Sequence, residues 1–354
     1  MKKILLSLVV MCLILTGCNT EVKPETTAPE TEEETRETTT AEEPVVETEE
    51  VRPESPAADD AGVAKDYFPS EDDFLARYDG DTEFGELEKW IEYKEENRVQ
   101  MAQVNPGVTL RTVYELTEDE IKILYEEPLD YRFNVLSKDS NERARTILKG
   151  PIEVGTSWTS FDKDYTITSL EEEVQVPGGS FKAILVESVD SKSYFVKGIG
   201  LVKEDIEVED GVIFTQELQS YTTGQPVEVG IELWNLNDDG ATISSQPKTM
   251  MMKTNDVLRE AMSELFQREA LFPEGTMIKS LYINERDQEL YLDVSEGIYE
   301  ANMGALAESN MVQSIINTLT GYFGKDRLYF WVNNASYESG HLVFDKDELI
   351  YRQD

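Results

Sequence analysis

The sequence predicts an α+β chain: an antiparallel β-meander over residues 66–222, then a small domain over 226–354 with helices packed on a mostly antiparallel sheet. Three observations predict it. Short runs such as "TLRTVYEL", "IKILYEE" and "SFKAILVESV" alternate in character and are separated by turn signals such as Pro177-Gly178-Gly179 and Glu209-Asp210-Gly211. Beyond Pro226, two stretches change to apolar residues at three- and four-residue steps, the helical period. Aromatic residues begin abruptly at Tyr67-Phe68, which sets the first boundary.

The 354 residues leave room for about two ordered domains. The formal net charge is -40, from 72 acidic and 32 basic residues, and binding phosphates needs clustered Lys and Arg, so nucleic acid is set aside as a partner. The same charge would repel an anionic membrane surface, so attachment to a membrane must come from lipid or protein.

Residues 1–17 read as a secretory signal. Lys2 and Lys3 precede an apolar run from Ile4 to Leu15, shorter than the roughly 20 residues that span a bilayer. Its end, Leu15-Thr16-Gly17-Cys18, resembles the bacterial lipobox, which implies cleavage before Cys18 and lipidation (diacylglyceryl, palmitate-type) of its nucleophilic sulfur. The other cysteine, Cys12, falls in the segment to be removed, so the mature chain holds no disulfide, cysteine metal site or cysteine nucleophile. Residues 18–65 are rich in Glu, Thr, Pro, Ala and Ser, with no aromatic before Tyr67. That composition buries too little surface to order itself and reads as an acidic tether of roughly 40 Å.

In the meander, "YRFNVL", "YTITSL", "EEVQV" and "SYFVKGIGLVKEDIEV" read as further strands, and Phe84 to Tyr93 reads as either strand or helix. "LKGPIEVGTSW" and "YFVKGIGLVK" resemble segments of uncharacterised β-rich domains in lipoproteins of Gram-positive bacteria. In the second domain, "VEVGIELWN" and "ATISSQPK" form a hairpin around Asn237-Asp238-Asp239-Gly240. "TNDVLREAMSELFQREA" is helical, with Thr254 or Asn255 as its cap and Val257, Leu258, Ala261, Leu265 and Phe266 as its stripe. Two strands, "SLYI" and "LYLDV", follow. A helix then carries Met311, Val312, Ile315, Ile316, Leu319, Tyr322 and Phe323 on one face, packed on the sheet of "LYLDV" and "LYFWV".

With "ELWNLNDDGATI", "LFPEGTMIKSLYI", "LYLDVSEGI" and "ESNMVQSIINTLTGYFGKDRLYFWVNN" in this order, residues 227–350 resemble the GerMN domain of bacterial sporulation and spore germination proteins. The resemblance implies a small helix-and-sheet fold that works through protein–protein contacts, with no known catalytic residues. Only one such domain is present, and the turn that often holds an Asp-Gly-like pair is Asn333-Asn334.

Chemistry offers little. The one histidine, His341, reads as a strand-edge residue, and no G-x-S-x-G elbow exists. Asp293 in "LYLDVSEG" reads as bracing the next turn. Asn235, Asn237, Asp239 and Gly240 partly fit a calcium loop, but Gln246 replaces the bidentate Glu, so a hairpin turn is preferred. Trp90, Trp158, Trp234 and Trp331 are scattered and read as core or interface. The sequence therefore carries no catalytic residue, metal or cofactor. It predicts a non-enzymatic, lipid-anchored protein on the outer face of the cell membrane of a Gram-positive bacterium, bound to other envelope or sporulation proteins or to copies of itself. Glu308, Gln313 and Asn317, on the far side of the second helix, are the expected docking residues. The alternative is a ligand-binding lipoprotein whose β domain holds a small molecule, lipid or glycan.

Overall fold

A computed structural model describes residues 61–80, 86–208 and 211–353. The signal, the lipobox (Leu15, Thr16, Gly17, Cys18) and the tether up to residue 60 lie outside the described residues.

The meander is one twelve-stranded antiparallel sheet. Its strands are β1 (Leu75–Gly80), β2 (Leu87–Glu95), β3 (Arg98–Val104), β4 (Thr109–Leu116), β5 (Glu120–Pro128) and β6 (Arg145–Lys149). Then come β7 (Ser157–Ser160), β8 (Lys163–Val176), β9 (Gly179–Glu187), β10 (Ser191–Val196), β11 (Gly200–Glu207) and β12 (Ile213–Thr222). Every neighbour in the order β6-β5-β4-β3-β2-β1-β12-β11-β10-β9-β8-β7 is adjacent in sequence except the β1–β12 pair, which brings the two halves together. The sheet curls until its ends nearly meet: the Trp158 indole on β7 donates to the Thr146 carbonyl on β6 at 3.4 Å. Near-closure leaves few open strand edges. Of the ambiguous stretch from Phe84 to Tyr93, residues from Leu87 on are strand, as part of β2, and Phe84 lies outside the described residues.

Alternate residues of these strands fill the interior with one continuous apolar cluster that includes Ile91, Met101, Ile121, Ile167, Ile184, Val202 and Leu218. A short 3-10 turn, Ala64–Tyr67, adds Ala64 and Tyr67 to the same cluster. It is tied to the β4–β5 turn by Ala64 N–H to Glu118 O (3.0 Å) and to the β10–β11 turn by Gly198 N–H to Asp66 O (2.8 Å). Side chains therefore occupy the space that a ligand-holding β domain would need to keep open.

One expected strand is not a strand. "YRFNVL" belongs to an irregular crossing between β5 and β6 that lies on the outside of the sheet. Buried polar groups hold it there: Gln100 Oε1 accepts from Val135 N–H at 2.7 Å, and Gln100 Nε2 donates to Phe133 O at 2.7 Å. Its apolar residues Val135 and Leu136 pack with Tyr93 and Val113. The alternation in "YRFNVL" follows contact with a sheet face, which a packed loop can satisfy as well as a strand can.

The rest of the chain forms a second core. The expected hairpin is β13 (Val227–Leu236) and β14 (Ile243–Met252). Helix α1 (Leu258–Arg268) follows, then β15 (Ile278–Ile283), β16 (Leu290–Val294), helix α2 (Ala305–Tyr322) and β17 (Arg327–Val332). Two short strands, β18 (Tyr337–Glu338) and β19 (Val343–Phe344), pair with each other, and β20 (Leu349–Tyr351) closes the four-stranded order β15-β16-β17-β20. β16 and β17 run parallel, Leu290 opposite Leu328 through Val294 opposite Val332. A parallel pair needs a long crossover, and α2 supplies it. Its apolar residues Met311, Ile315 and Leu319 share a core with Leu292 and Phe330, as the period predicts.

The expected caps of α1 do something else. Val257 occupies the cap position without a side-chain bond. Thr254 exchanges hydrogen bonds with Asp73, and Asn255 takes the Lys94 N–H on its Oδ1 at 2.8 Å while donating its own N–H to Glu92 O at 2.9 Å. Residues chosen to cap a helix thus clasp it to the meander.

Candidate interaction surface

The second domain covers the polar side chains of α2 that were expected to face a partner. Glu308 is buried, and its Oε1 accepts from the Tyr337 hydroxyl at 2.7 Å. Asn317 is fully buried: its Oδ1 accepts from Gln353 N–H at 3.0 Å and its Nδ2 donates to Gln353 O at 2.7 Å. Gln313 is half-buried and donates to Asn317 Oδ1 (2.8 Å) and to Tyr351 O (3.2 Å). Thr318 Oγ1 accepts the Trp234 N–H at 2.9 Å. The polar side of α2 is thus covered by the chain's own C-terminal segment and by β13. These side chains are polar because they meet backbone, which sequence periodicity cannot distinguish from meeting water.

The family-like motifs also have internal work. Gly297 leaves little room for a Cβ, which would lie 3.0 Å from Thr276 N and Oγ1 and 3.1 Å from Gly275 C. Ser295 Oγ accepts from Met277 N–H at 3.0 Å, so "EGTM" and "VSEG" brace each other. Asp293 braces a different turn from the expected one: its Oδ1 accepts from Asn334 N–H at 2.8 Å. Asn333 and Asn334 have φ of 51° and 60°, the conformation of a two-residue hairpin turn, which Asn tolerates almost as well as Gly. Asp239 accepts from Ala241 and Thr242 N–H at 2.8 and 3.0 Å, as the turn reading of that hairpin requires. His341 is exposed in a bend before β19.

The uncovered surface is the opposite face of the four-stranded sheet. Tyr282, Tyr291 and Tyr329 are direct cross-strand partners on β15, β16 and β17. Their rings stack at 5.2 Å (interplanar 5°) and 4.6 Å (29°), and Trp331 meets Tyr291 edge-on at 5.1 Å. All four are half-buried. Stacked rings stand up from the sheet and turn their edges and hydroxyls outward. Polar partners fix them in place. Tyr291 OH donates to Asp287 Oδ2 at 2.7 Å, and burial followed by this bond holds that hydroxyl well above its ordinary pKa, so it remains a donor. The Lys346 ammonium lies 4.8 Å over Trp331, whose indole donates to Lys346 O at 2.8 Å. Arg327 grips Glu289 through Nε at 3.1 Å and donates to Tyr351 OH at 2.9 Å.

A solvated sheet face ordinarily carries polar residues. A rigid row of Tyr and Trp is instead the composition of protein-binding surfaces. Of the four rings only Trp331 was singled out from sequence. The signal for the others was present in the off-core positions of "SLYI", "LYLDV" and "LYFWV", where polar residues would be the ordinary choice.

The described chain is thus a mostly antiparallel β protein whose last third builds a helix-backed sheet with an aromatic outer face. That third carries a family signature: residues 233–338 match the family model Germane, described as sporulation and spore germination. No curated protein matches the chain. Solved structures similar to it include a protein from Bacteroides fragilis described as exported, with a YmcC-like fold, at 9% identity, covering 46% of this chain and 100% of that one, TM-score 0.30. A protein from Parabacteroides distasonis described as a lipoprotein gives 14%, 46%, 100% and 0.30. One from Clostridium perfringens described as a lipoprotein gives 16%, 37%, 93% and 0.22. No described helix is long and apolar enough to cross a membrane.

Proposed function

We propose that this is a lipid-anchored, extracytoplasmic envelope protein of a bacterium that acts without catalysis, binding other proteins through the aromatic face of its Germane segment in sporulation or germination. The observation that carries the reading is the row Tyr282–Tyr291–Tyr329–Trp331, half-buried on a sheet face whose other side is fully packed. The family match on the same segment supports the sporulation context. The Leu15-Thr16-Gly17-Cys18 sequence supports the lipid anchor and the extracytoplasmic location.

The test is crosslinking in cells. A photo-crosslinking side chain at Tyr329 of the full-length protein should give a discrete adduct through growth, sporulation and germination. The same group at Met251, exposed on β14, should give none. The Tyr282→Ala/Tyr291→Ala background should remove the adduct while the protein stays folded and at normal abundance. An adduct of twice the chain's mass would identify the partner as a second copy. No adduct at Tyr329, together with unchanged sporulation and germination in the Tyr291→Ala strain, would overturn the proposal.

A further inference from the structure

At one end of the meander, three neighbouring hairpin turns carry apolar side chains into solvent. Val189 in the β9–β10 turn is 86% exposed, Phe161 in the β7–β8 turn 52%, and Val212 before β12 and Ile213 at its start are 51% and 57%. Ile206 and Phe214, cross-strand partners at the base of the third turn, are also exposed. The turns are physically adjacent. Lys163 Nζ, after the first, donates to Asp190 Oδ2 in the second at 2.6 Å, and Glu207 N–H, before the third, donates to Asp190 O at 2.7 Å. With strands about 4.8 Å apart, the three tips form an apolar rim of about 20 Å. Among the described residues, one other exposed large apolar side chain of the meander, Val154, stands before β7, and the rest, such as Met251, Met277, Leu306 and Val343, are scattered over the second domain.

Three acidic side chains beside the rim are paired in place, whereas Asp162 in the first turn and Glu207 before the third make no ion pair among the described residues. Asp190 is paired with Lys163, Glu187 with Lys192 at 3.1 Å, and Asp205 with Lys203 at 3.7 Å. Paired charges cost less to bring against a weakly polar layer than free ones do. Ala61, where the described chain begins, stands 43 residues (61 − 18) after Cys18. Lipidation at Cys18 would keep the folded part near the bilayer at high effective concentration. An amphipathic surface so placed sinks its apolar side chains into the headgroup boundary.

We infer that these three tips dip into the interfacial layer of the lipid bilayer to which the chain is tethered. This rests on the anchoring at Cys18. The contact makes a second attachment point and orients the folded part on the membrane. Because the chain is acidic, the dip favours neutral over anionic headgroups.

The test uses the full lipidated chain, purified from cell membranes into phosphatidylcholine vesicles. With Cys12 cleaved off and Cys18 acylated, a thiol introduced as Val189→Cys or Ile213→Cys is the only one and takes an environment-sensitive fluorophore. Met251→Cys, similarly exposed, is the control. Brominated lipid should quench the label several-fold more at 189 and 213 than at 251. The effect at 189 should fall to the control level in the Val212→Asp/Phe214→Asp variant, whose near-ultraviolet circular dichroism should match the parent. Phosphatidylglycerol at low salt should reduce it. Equal quenching at all three positions overturns the inference. So does a spectral shift that ignores lipid and grows with protein concentration, which would assign the rim to a second copy. Membrane fractionation of Cys18→Ala reads the anchor separately, so failure of the anchor and failure of the dip are distinguishable.

Discussion

Asp73 and Thr254, 181 residues apart, exchange a reciprocal pair of hydrogen bonds: Asp73 N–H donates to Thr254 Oγ1 at 2.8 Å, and Thr254 N–H donates to Asp73 Oδ1 at 2.7 Å. Asp73 is buried, so each lost bond strands a desolvated group. Thr254→Val keeps the shape and removes one acceptor. It should cost about 1–3 kcal/mol in urea unfolding. A variant as stable as the parent would show the clasp to be incidental.

A second contact beneath the clasp is ionic. Glu92 and Arg111 are both buried and pair at 3.0 and 3.1 Å through two guanidinium nitrogens, with Gln100 Nε2 donating to the same carboxylate at 2.8 Å. Removing one charge leaves the other buried and uncompensated, so Glu92→Gln should destabilise by about 3–5 kcal/mol. The double change Glu92→Leu/Arg111→Met should recover much of that loss, because two apolar side chains pay no desolvation of charge. Equal losses from the single and double variants would argue against a charge-burial origin.

Arg132 joins the same junction from the irregular crossing. Its Nη2 donates to Glu92 O and Lys253 O, each at 2.8 Å, and its N–H donates to the Tyr322 hydroxyl at 3.2 Å. Burial pushes that hydroxyl up to about 12. The unfolded chain releases the proton near pH 10 and the folded chain does not, so Tyr322 stabilises the fold below pH 10 and loses that contribution as pH rises from 10 to about 12. Other buried tyrosines titrate in parallel. The measurement is therefore the stability difference between parent and Tyr322→Phe, which should be constant below pH 9–10 and shift against the parent above it.

Gly297→Ala should act locally. The added carbon meets the backbone of Thr276 and Gly275 at 3.0–3.1 Å, and backbone cannot swing aside as a side-chain tip can. Overpacking of this kind costs about 1–3 kcal/mol. Hydrogen exchange should speed up first in β16 and the turn before β15. Uniform exchange across the meander would contradict a local effect.

At the low-pH end, Glu269 lies between Lys248 (2.6 Å) and Arg268 (3.2 Å), and the hydrogen bond from Lys248 holds its carboxyl below the ordinary range. A depressed carboxylate stabilises the fold above its unfolded pKa and loses that contribution as pH falls through the folded value. Partly exposed, the pair is worth at most about 1 kcal/mol. Glu269→Gln should be slightly less stable than the parent at pH 7 and indistinguishable from it in acid. A gap that widens on acidification would reverse the assignment.

Most of the fold was legible in the sequence because it depends on local patterns. Alternation and turn residues mark the meander, and the apolar period marks α2 and its core partners Leu292 and Phe330. The Asn237–Gly240 hairpin is set by its own side-chain bonds. Patterns of this kind record whether a side chain avoids water, and burial on one face is a property of a short stretch.

What covers a polar side chain is decided only by tertiary structure. Asn317 and Glu308 read as a solvent-facing surface, yet the partners that bury them, Gln353 and Tyr337, stand 36 and 29 residues further along. Thr254 has the chemistry of a helix cap and is spent on Asp73, and "YRFNVL" has the alternation of a strand and is a loop held by Gln100. The aromatic row exists only because β15, β16 and β17 align in register, which places Tyr282, Tyr291 and Tyr329 side by side from three separate stretches. The sequence by itself determined which residues leave water. The tertiary structure decided which of the remaining ones still face it, because polar atoms satisfied by distant backbone and polar atoms satisfied by water look the same along a chain.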